Sequence, residues 1–198
     1  MSLVRPHRSL PDAHAGASRP LPRPARRGIT PLYRRALGAA FDALPPALRR
    51  LHGGPGRWRG MAELTQGTGA ARLAARSAGY PGAEGTLPLT LTIAQDGPGE
   101  IWTRSFDGFP VVSHQRLRPD GRIAERLGPA TVLLQAEARA DALSVTVAGL
   151  RAGPLPLPSV LTGGGVETAE AEAVRFDVSA RLPGIGLLIR YRGTLHPD

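Results

Sequence analysis

Apolar residues recur at two different periods along this chain, and the change of period falls near residue 57. Leu32, Ala36, Leu37, Ala40, Phe41 and Leu44 lie at helical spacing. Thr30-Pro31 offers an N-cap and a first helical residue, and Pro45-Pro46 ends the run. A second short helix is expected from Ala47 to His52, with Leu48 and Leu51 on one face and Gly53-Gly54 as its stop. Arg49 and Arg50 suit the negative end of its dipole. Both helices read as elements docked on a core, and His52 as a capping residue rather than a ligand.

From Arg57 the period becomes two. Trp58, Gly60, Ala62 and Leu64 alternate with polar or charged neighbours. A short helical piece around Ala70–Ala78 follows, closed by Gly79-Tyr80-Pro81. Leu87, Leu89, Leu91 and Ile93 then alternate with Pro88, Thr90 and Thr92, the pattern of a half-buried strand. Turn signals such as Asp96-Gly97-Pro98-Gly99, Asp107-Gly108 and Pro119-Asp120-Gly121 separate further strands over Glu100–Phe106, Phe109–Arg118 and Arg122–Leu127. Thr131–Arg139, Leu143–Leu150, Val174–Leu182 and Leu187–Leu195 complete the series. Gly163-Gly164-Gly165 reads as a flexible loop. The acidic run Glu167, Glu170 and Glu172 reads as charge guarding an exposed strand edge. The expected fold is mainly β (α+β): a curved antiparallel meander of about nine or ten strands forming a barrel or half-barrel, with short N-terminal helices packed against it.

Composition changes this picture at one end only. The formal net charge is +9, a value that invites a nucleic-acid reading. All 25 basic residues are Arg, however, and Lys and Asn are absent, which fits a GC-rich coding bias rather than a phosphate-reading choice. The charge is also segregated. Residues 1–59 carry 12 Arg against two acids, and residues 60–198 carry 13 Arg against 14 acids, so the strand-rich part is nearly neutral. The aromatic residues form no stacking stripe, and no specific nucleic-acid partner is expected. Residues 1–29 hold five prolines, six arginines and few large apolar residues, and read as a disordered tail ahead of one domain over 30–198. Met1-Ser2-Leu3-Val4 is too short for a secretory core, and Arg34 and Arg35 interrupt the apolar stretch that a twin-arginine signal at Arg26-Arg27 requires. The longest aliphatic runs, such as Leu187-Leu188-Ile189, are far below the roughly 20 residues of a membrane span. A cytoplasmic location is expected.

Several pieces, in order, resemble a known family. They are Leu44-Pro45-Pro46-Ala47-Leu48-Arg49-Arg50-Leu51-His52-Gly53, Trp58-Arg59-Gly60, Gly79-Tyr80-Pro81 and Trp102-Thr103-Arg104-Ser105-Phe106. Glu125-Arg126-Leu127-Gly128-Pro129, Gly153-Pro154-Leu155-Pro156-Leu157-Pro158 and the ending Leu182-Pro183-Gly184-Ile185-Gly186-Leu187-Leu188-Ile189-Arg190-Tyr191-Arg192-Gly193-Thr194-Leu195 complete the set. Over about residues 31–197 the chain resembles the bacterial family catalogued as domain of unknown function 4166. The resemblance implies no catalytic residue. It implies a domain found alone or behind a dehydrogenase-like one, so a separately encoded dehydrogenase-like protein is a candidate partner.

Strand alternation yields one candidate site. Trp102, Arg104 and Phe106 share a side, as do Val111, Ser113, Gln115 and Leu117, and Ile123, Glu125 and Leu127. The apolar members mark these sides as inward, which brings Arg104, Ser113, Gln115 and Glu125 together on three neighbouring strands. Two readings are open: a head-group site for a small apolar or amphipathic ligand, or a buried Arg104–Glu125 pair that holds register, satisfied by Ser113 and Gln115. Tyr191, inward with Leu187, Ile189 and Leu195, either offers its hydroxyl to a ligand or serves as a core tyrosine. On the outer side, Asp177 is expected to pair with Arg190 or Arg192.

No other chemistry is indicated. Cysteine is absent, and the five His show no metal-ligand spacing. His114 falls on the face opposite Ser113. No P-loop or G-x-G-x-x-G precedes a helix, so no cofactor is expected. The leading expectation is therefore non-catalytic binding of a small apolar or amphipathic molecule inside the sheet. The alternative is an accessory interaction domain with a filled core, and the third reading is an isomerase using Glu125 as proton carrier. Removing residues 1–29 is expected to leave the melting temperature unchanged by differential scanning calorimetry; a large drop would contradict a disordered tail.

Overall fold

The computed structural model describes residues 29–153, 155–157 and 161–198. Residues 1–28 of the Arg/Pro-rich tail lie outside the described residues, as do Pro154 and residues 158–160. The alternating segments form strands β1 (Gly56–Gln66), β2 (Gly85–Asp96), β3 (Gly99–Phe106), β4 (Phe109–Leu117), β5 (Ile123–Leu127), β6 (Ala130–Ala138) and β7 (Ala142–Ala152). They continue with β8 (Leu155–Leu157), β9 (Thr162–Glu170), β10 (Ala173–Leu182) and β11 (Gly186–Pro197). Neighbours pair antiparallel from β1 through β7. β9 then bridges β7 and β10, and β11 returns to β1. The result is a closed ten-stranded barrel, with β8 attached only to β7. Closure resolves the choice between barrel and half-barrel and removes the ring's free edges.

Turn chemistry follows the sequence. Asp107 and Gly108, at φ 47° and 83°, form the two-residue loop between β3 and β4 that matches strand twist. Along β1, Trp58, Ala62 and Leu64 are buried while Arg57, Arg59, Met61 and Glu63 are exposed. Leu89, Leu91 and Ile93 do the same on β2. The period of two thus fills the lumen with apolar side chains.

The Gly163-Gly164-Gly165 segment is not a loop. It lies within β9, hydrogen-bonded on both sides. At Gly164 (φ 145°) an added Cβ would stand 1.9 Å from the Val145 carbonyl oxygen; at Gly163 it would stand 2.2 Å from that of Ser179. Only glycine permits this approach of three backbones. The acidic run therefore guards no edge. Glu170 pairs with Arg175 at 3.2 Å and Glu172 lies 3.8 Å from Arg50, whereas Glu167 faces inward.

Helices occupy the barrel's two ends. The first is shorter than expected: α1 (Leu32–Leu37) stops at Gly38, φ 58°, and continues as a 3-10 turn over Gly38–Ala43. α2 spans Pro46–Leu51. Leu32, Tyr33, Phe41, Leu48 and Leu51 are buried, and these elements contact β4 and β6 on one side and β9 and β10 on the other. They plug that end. Thr30 is not the N-cap. Pro31 holds that position without a side-chain bond, and the Leu32 N–H donates instead to Glu100 Oε1, 3.0 Å away on β3. At the far end α3 (Ala70–Ser77) lies against β11 and β1, followed by the buried Tyr80.

The outer face carries paired charges. Arg190 holds Asp177 through two bonds of 2.9 and 2.5 Å, and Arg192 turns instead to Glu63 at 2.7 Å. The hydrogen bond from Arg190 keeps the Asp177 carboxyl below its usual value. A depressed carboxyl stabilises the fold above the unfolded pKa and loses that contribution as pH falls through the folded one. Asp177→Asn is therefore expected to lower the melting temperature by a few degrees at most near neutrality, with the difference vanishing in acid. Because both side chains are more than two-fifths exposed, a larger effect would contradict this account. Gly164→Ala is expected to cost on the order of 3 kcal/mol in urea unfolding followed by tryptophan fluorescence. Gly97→Ala, at φ 53° with open space beside it, is expected to cost only about 1–2 kcal/mol.

Candidate functional site

The inward residues of β3, β4 and β5 meet across paired registers. Gln115 stands opposite Glu125 and Glu100, and Trp102 opposite Ser113. Arg104 Nη1 donates to Ser113 Oγ at 3.1 Å, and Nη2 donates to Glu125 Oε1 at 3.3 Å. Gln115 Nε2 donates to the same Glu125 oxygen at 3.1 Å. All four predicted polar residues are thus gathered, with Ser113 and Gln115 fully buried and Glu125 nearly so. The Arg104 guanidinium also lies 5.3 Å from the Trp102 ring centroid. Burial opposes the charge of Arg104, but the surrounding oxygens, Tyr191 and Glu125 foremost, outweigh it and hold the guanidinium above its ordinary pKa. Arg104 stays a cation.

Tyr191 completes the predicted set. Its ring packs against Phe106 at 5.5 Å, Phe176 at 5.9 Å and Tyr80 at 6.2 Å. Burial pushes the phenols of Tyr33, Tyr80 and Tyr191 upward, so all three keep their protons at neutral pH. His114 points away from Ser113, 3.8 Å from Asp96, as alternation requires.

A second polar group adjoins the first. His52, at the end of α2, is buried as an unexposed ring and not merely as a backbone cap. Its Nε2 lies 2.5 Å from Glu167 Oε2 of β9, and its ring packs at a tilt against Tyr33, centroids 4.1 Å apart, and near Trp102 at 5.5 Å. Trp102 Nε1 donates to Glu100 Oε2 at 3.0 Å, while the other oxygen of Glu100 caps α1. Glu100, His52, Glu167, Tyr33 and Tyr80 were not among the predicted site residues. Glu100 was legible, since it sits two residues before Trp102 on the same face. Glu167 was not: on β9 the apolar Val166 faces out, 48% exposed, and the acid faces in.

Between these groups lies a cavity of about 110 Å³, with Tyr33, Trp102, Arg104, Gln115, Glu125, Glu167 and Tyr191 among its walls. Leu127, Val132, Leu134, Val145, Val147, Val178 and Ile189 supply an apolar remainder. A further pocket of about 50 Å³ reaches toward Leu51, Leu89 and Leu195. A larger concavity, about 790 Å³, lies outside, over β1 and β9–β11. It is an open dish whose charged walls, Glu63, Arg192, Asp177 and Arg175, are already engaged in ion pairs. The lumen is the better candidate because its polar groups are buried and convergent. Among the described residues no group of three His, Cys, Asp or Glu side chains is placed to hold a metal ion, and no helix is long and apolar enough to cross a membrane.

No curated protein matches the chain. Among solved structures, the crystal structure of Rv2717c from M. tuberculosis is similar over 78% of this chain and 99% of that one, at 15% identity and a TM-score of 0.44. A likeness so remote bears on neither ligand nor activity. The family comparison is more direct: the model for the domain of unknown function (DUF4166) matches residues 44–195, from the residue before Pro45-Pro46 to two residues short of the end of β11. That span holds α2, every strand of the barrel and every residue of the polar cluster, and the chain belongs to the DUF4166 family.

Proposed function

We propose that the protein binds a small apolar or amphipathic molecule inside its barrel, without catalysis, in the cytoplasm. The observation that carries this reading is the juxtaposition of the Arg104–Ser113–Gln115–Glu125 cluster with a cavity whose other wall is aliphatic. A structural ion pair alone needs no adjoining space. A ligand pocket needs polar groups on one side and apolar surface on the other. No observation favours a reaction at Glu125 over binding there.

The size of the cavity favours a second reading. At about 110 Å³ it is smaller than the roughly 300–1,000 Å³ typical of ligand pockets. An accessory domain with a nearly filled core, serving a separately encoded dehydrogenase-like protein, would look much the same.

Native mass spectrometry of the purified full chain, set beside its denatured spectrum, separates the two. A co-purifying small molecule, present in the native spectrum alone, supports binding. In that case Glu125→Gln is expected to keep the β-sheet circular dichroism and lose the adduct. A chain that carries no adduct and binds no small molecule on addition supports the accessory role.

A further inference from the structure

One buried acceptor on the lumen wall, Gln115 Oε1, has no donor, and this bears on what could enter it. The Glu125 carboxylate can only accept, so Gln115 must turn its amide nitrogen toward it. That fixes the Gln115 carbonyl oxygen, Oε1, in the opposite sense, where it is buried without a partner. Glu125 uses Oε1 for both of its bonds, and among the described residues no hydrogen bond reaches its Oε2. Glu167 uses Oε2 for His52, and its Oε1 has no hydrogen bond from the described residues. Gln115, Glu125 and Glu167 all line the same 110 Å³ cavity. Leaving a buried acceptor such as Gln115 Oε1 unsatisfied costs about 1–3 kcal/mol, a cost that a donor entering this space would relieve, with a free oxygen of Glu125 and of Glu167 on the same walls.

Charge points the same way. The cavity walls carry two carboxylates, Glu125 and Glu167, and one cation, Arg104. Arg104 is already matched by Glu125. A carboxylate ligand would find its best partner taken and Glu167 repelling it. A positive head would meet the Glu167 oxygen that His52 leaves free, with the Trp102, Tyr33 and Tyr191 rings beside it. The volume limits the rest of the molecule: an apolar void of about 150 Å³ accepts benzene, so this one fits a body of roughly four or five heavy atoms.

Resting on the lumen-binding reading above, we infer that the ligand is a small primary ammonium compound. Its N–H groups donate to Gln115 Oε1 and to the free oxygens of Glu125 and Glu167, and its short hydrocarbon body packs on Val145, Val147 and Val178. Titration of the full chain with n-butylammonium, 1-butanol and butyrate, read by methyl NMR shifts of the lumen valines and leucines, tests this. Xenon serves as a probe of any accessible apolar void. Butylammonium is expected to bind about tenfold more tightly than butanol, with butyrate weakest. Glu167→Gln and Glu125→Gln are each expected to reduce that preference; the wild-type ranking stands even if either variant fails to fold. Butanol or butyrate binding as tightly as butylammonium overturns the ammonium assignment while leaving lumen binding intact. Failure of all four probes, xenon included, overturns lumen binding itself.

Discussion

The fold rests on the pairing of β9 with both β7 and β10. Every other strand pair in the ring joins neighbours along the chain, apart from the return of β11 to β1. β9 turns a curved ribbon into a closed wall, and it does so with three consecutive glycines. The missing side chains of Gly164 and Gly163 let the carbonyls of Val145 and Ser179 approach closer than any Cβ would tolerate. Closure creates the lumen and sets Glu167 against His52. Without it the polar groups of β3, β4 and β5 would face water, and their hydrogen bonds would contribute far less.

The helical plug is tied into this wall by buried carboxylates, Glu167 at His52 and Glu100 at the start of α1. Glu100 accepts from the Leu32 backbone at the start of α1 and from the Trp102 indole on its own strand. It satisfies a helix-end donor that Thr30 leaves unmet. Trp102 in turn stands between His52 of α2 and Arg104 of the polar cluster. Helix docking, aromatic packing and the ion pair are therefore one connected system, and a change at any member is felt by the others.

Much of this was legible from residue order. Alternation on β1–β5 placed Trp58, Leu89, Trp102 and Glu125 on the inner face because those strands bury one side only. The polar cluster followed directly. The failures share a cause. On β9 the outward Val166 and inward Glu167 invert the usual pattern, since a buried partner, His52, and not hydrophobicity sets the face. Glycine triplets signal freedom when read locally, yet here tertiary crowding demands them. The Thr30-Pro31 start misled because the cap is supplied by a residue 68 positions away, which no local signal can announce.

The pairing of β1 with β11 has a consequence for how the chain reaches this state. Trp58 lies opposite Pro197, and the Asp198 N–H donates to the Arg57 carbonyl at 3.0 Å. During synthesis the first barrel strand must wait, with its inner face of Trp58, Ala62 and Leu64 uncovered on one flank, until the last strand leaves the ribosome. Contacts of such long sequence separation slow folding. The nascent domain thus keeps one flank of β1 unpaired until β11 emerges, and that open flank is where a misfolded dimer, exchanging the final strand between two copies, would begin.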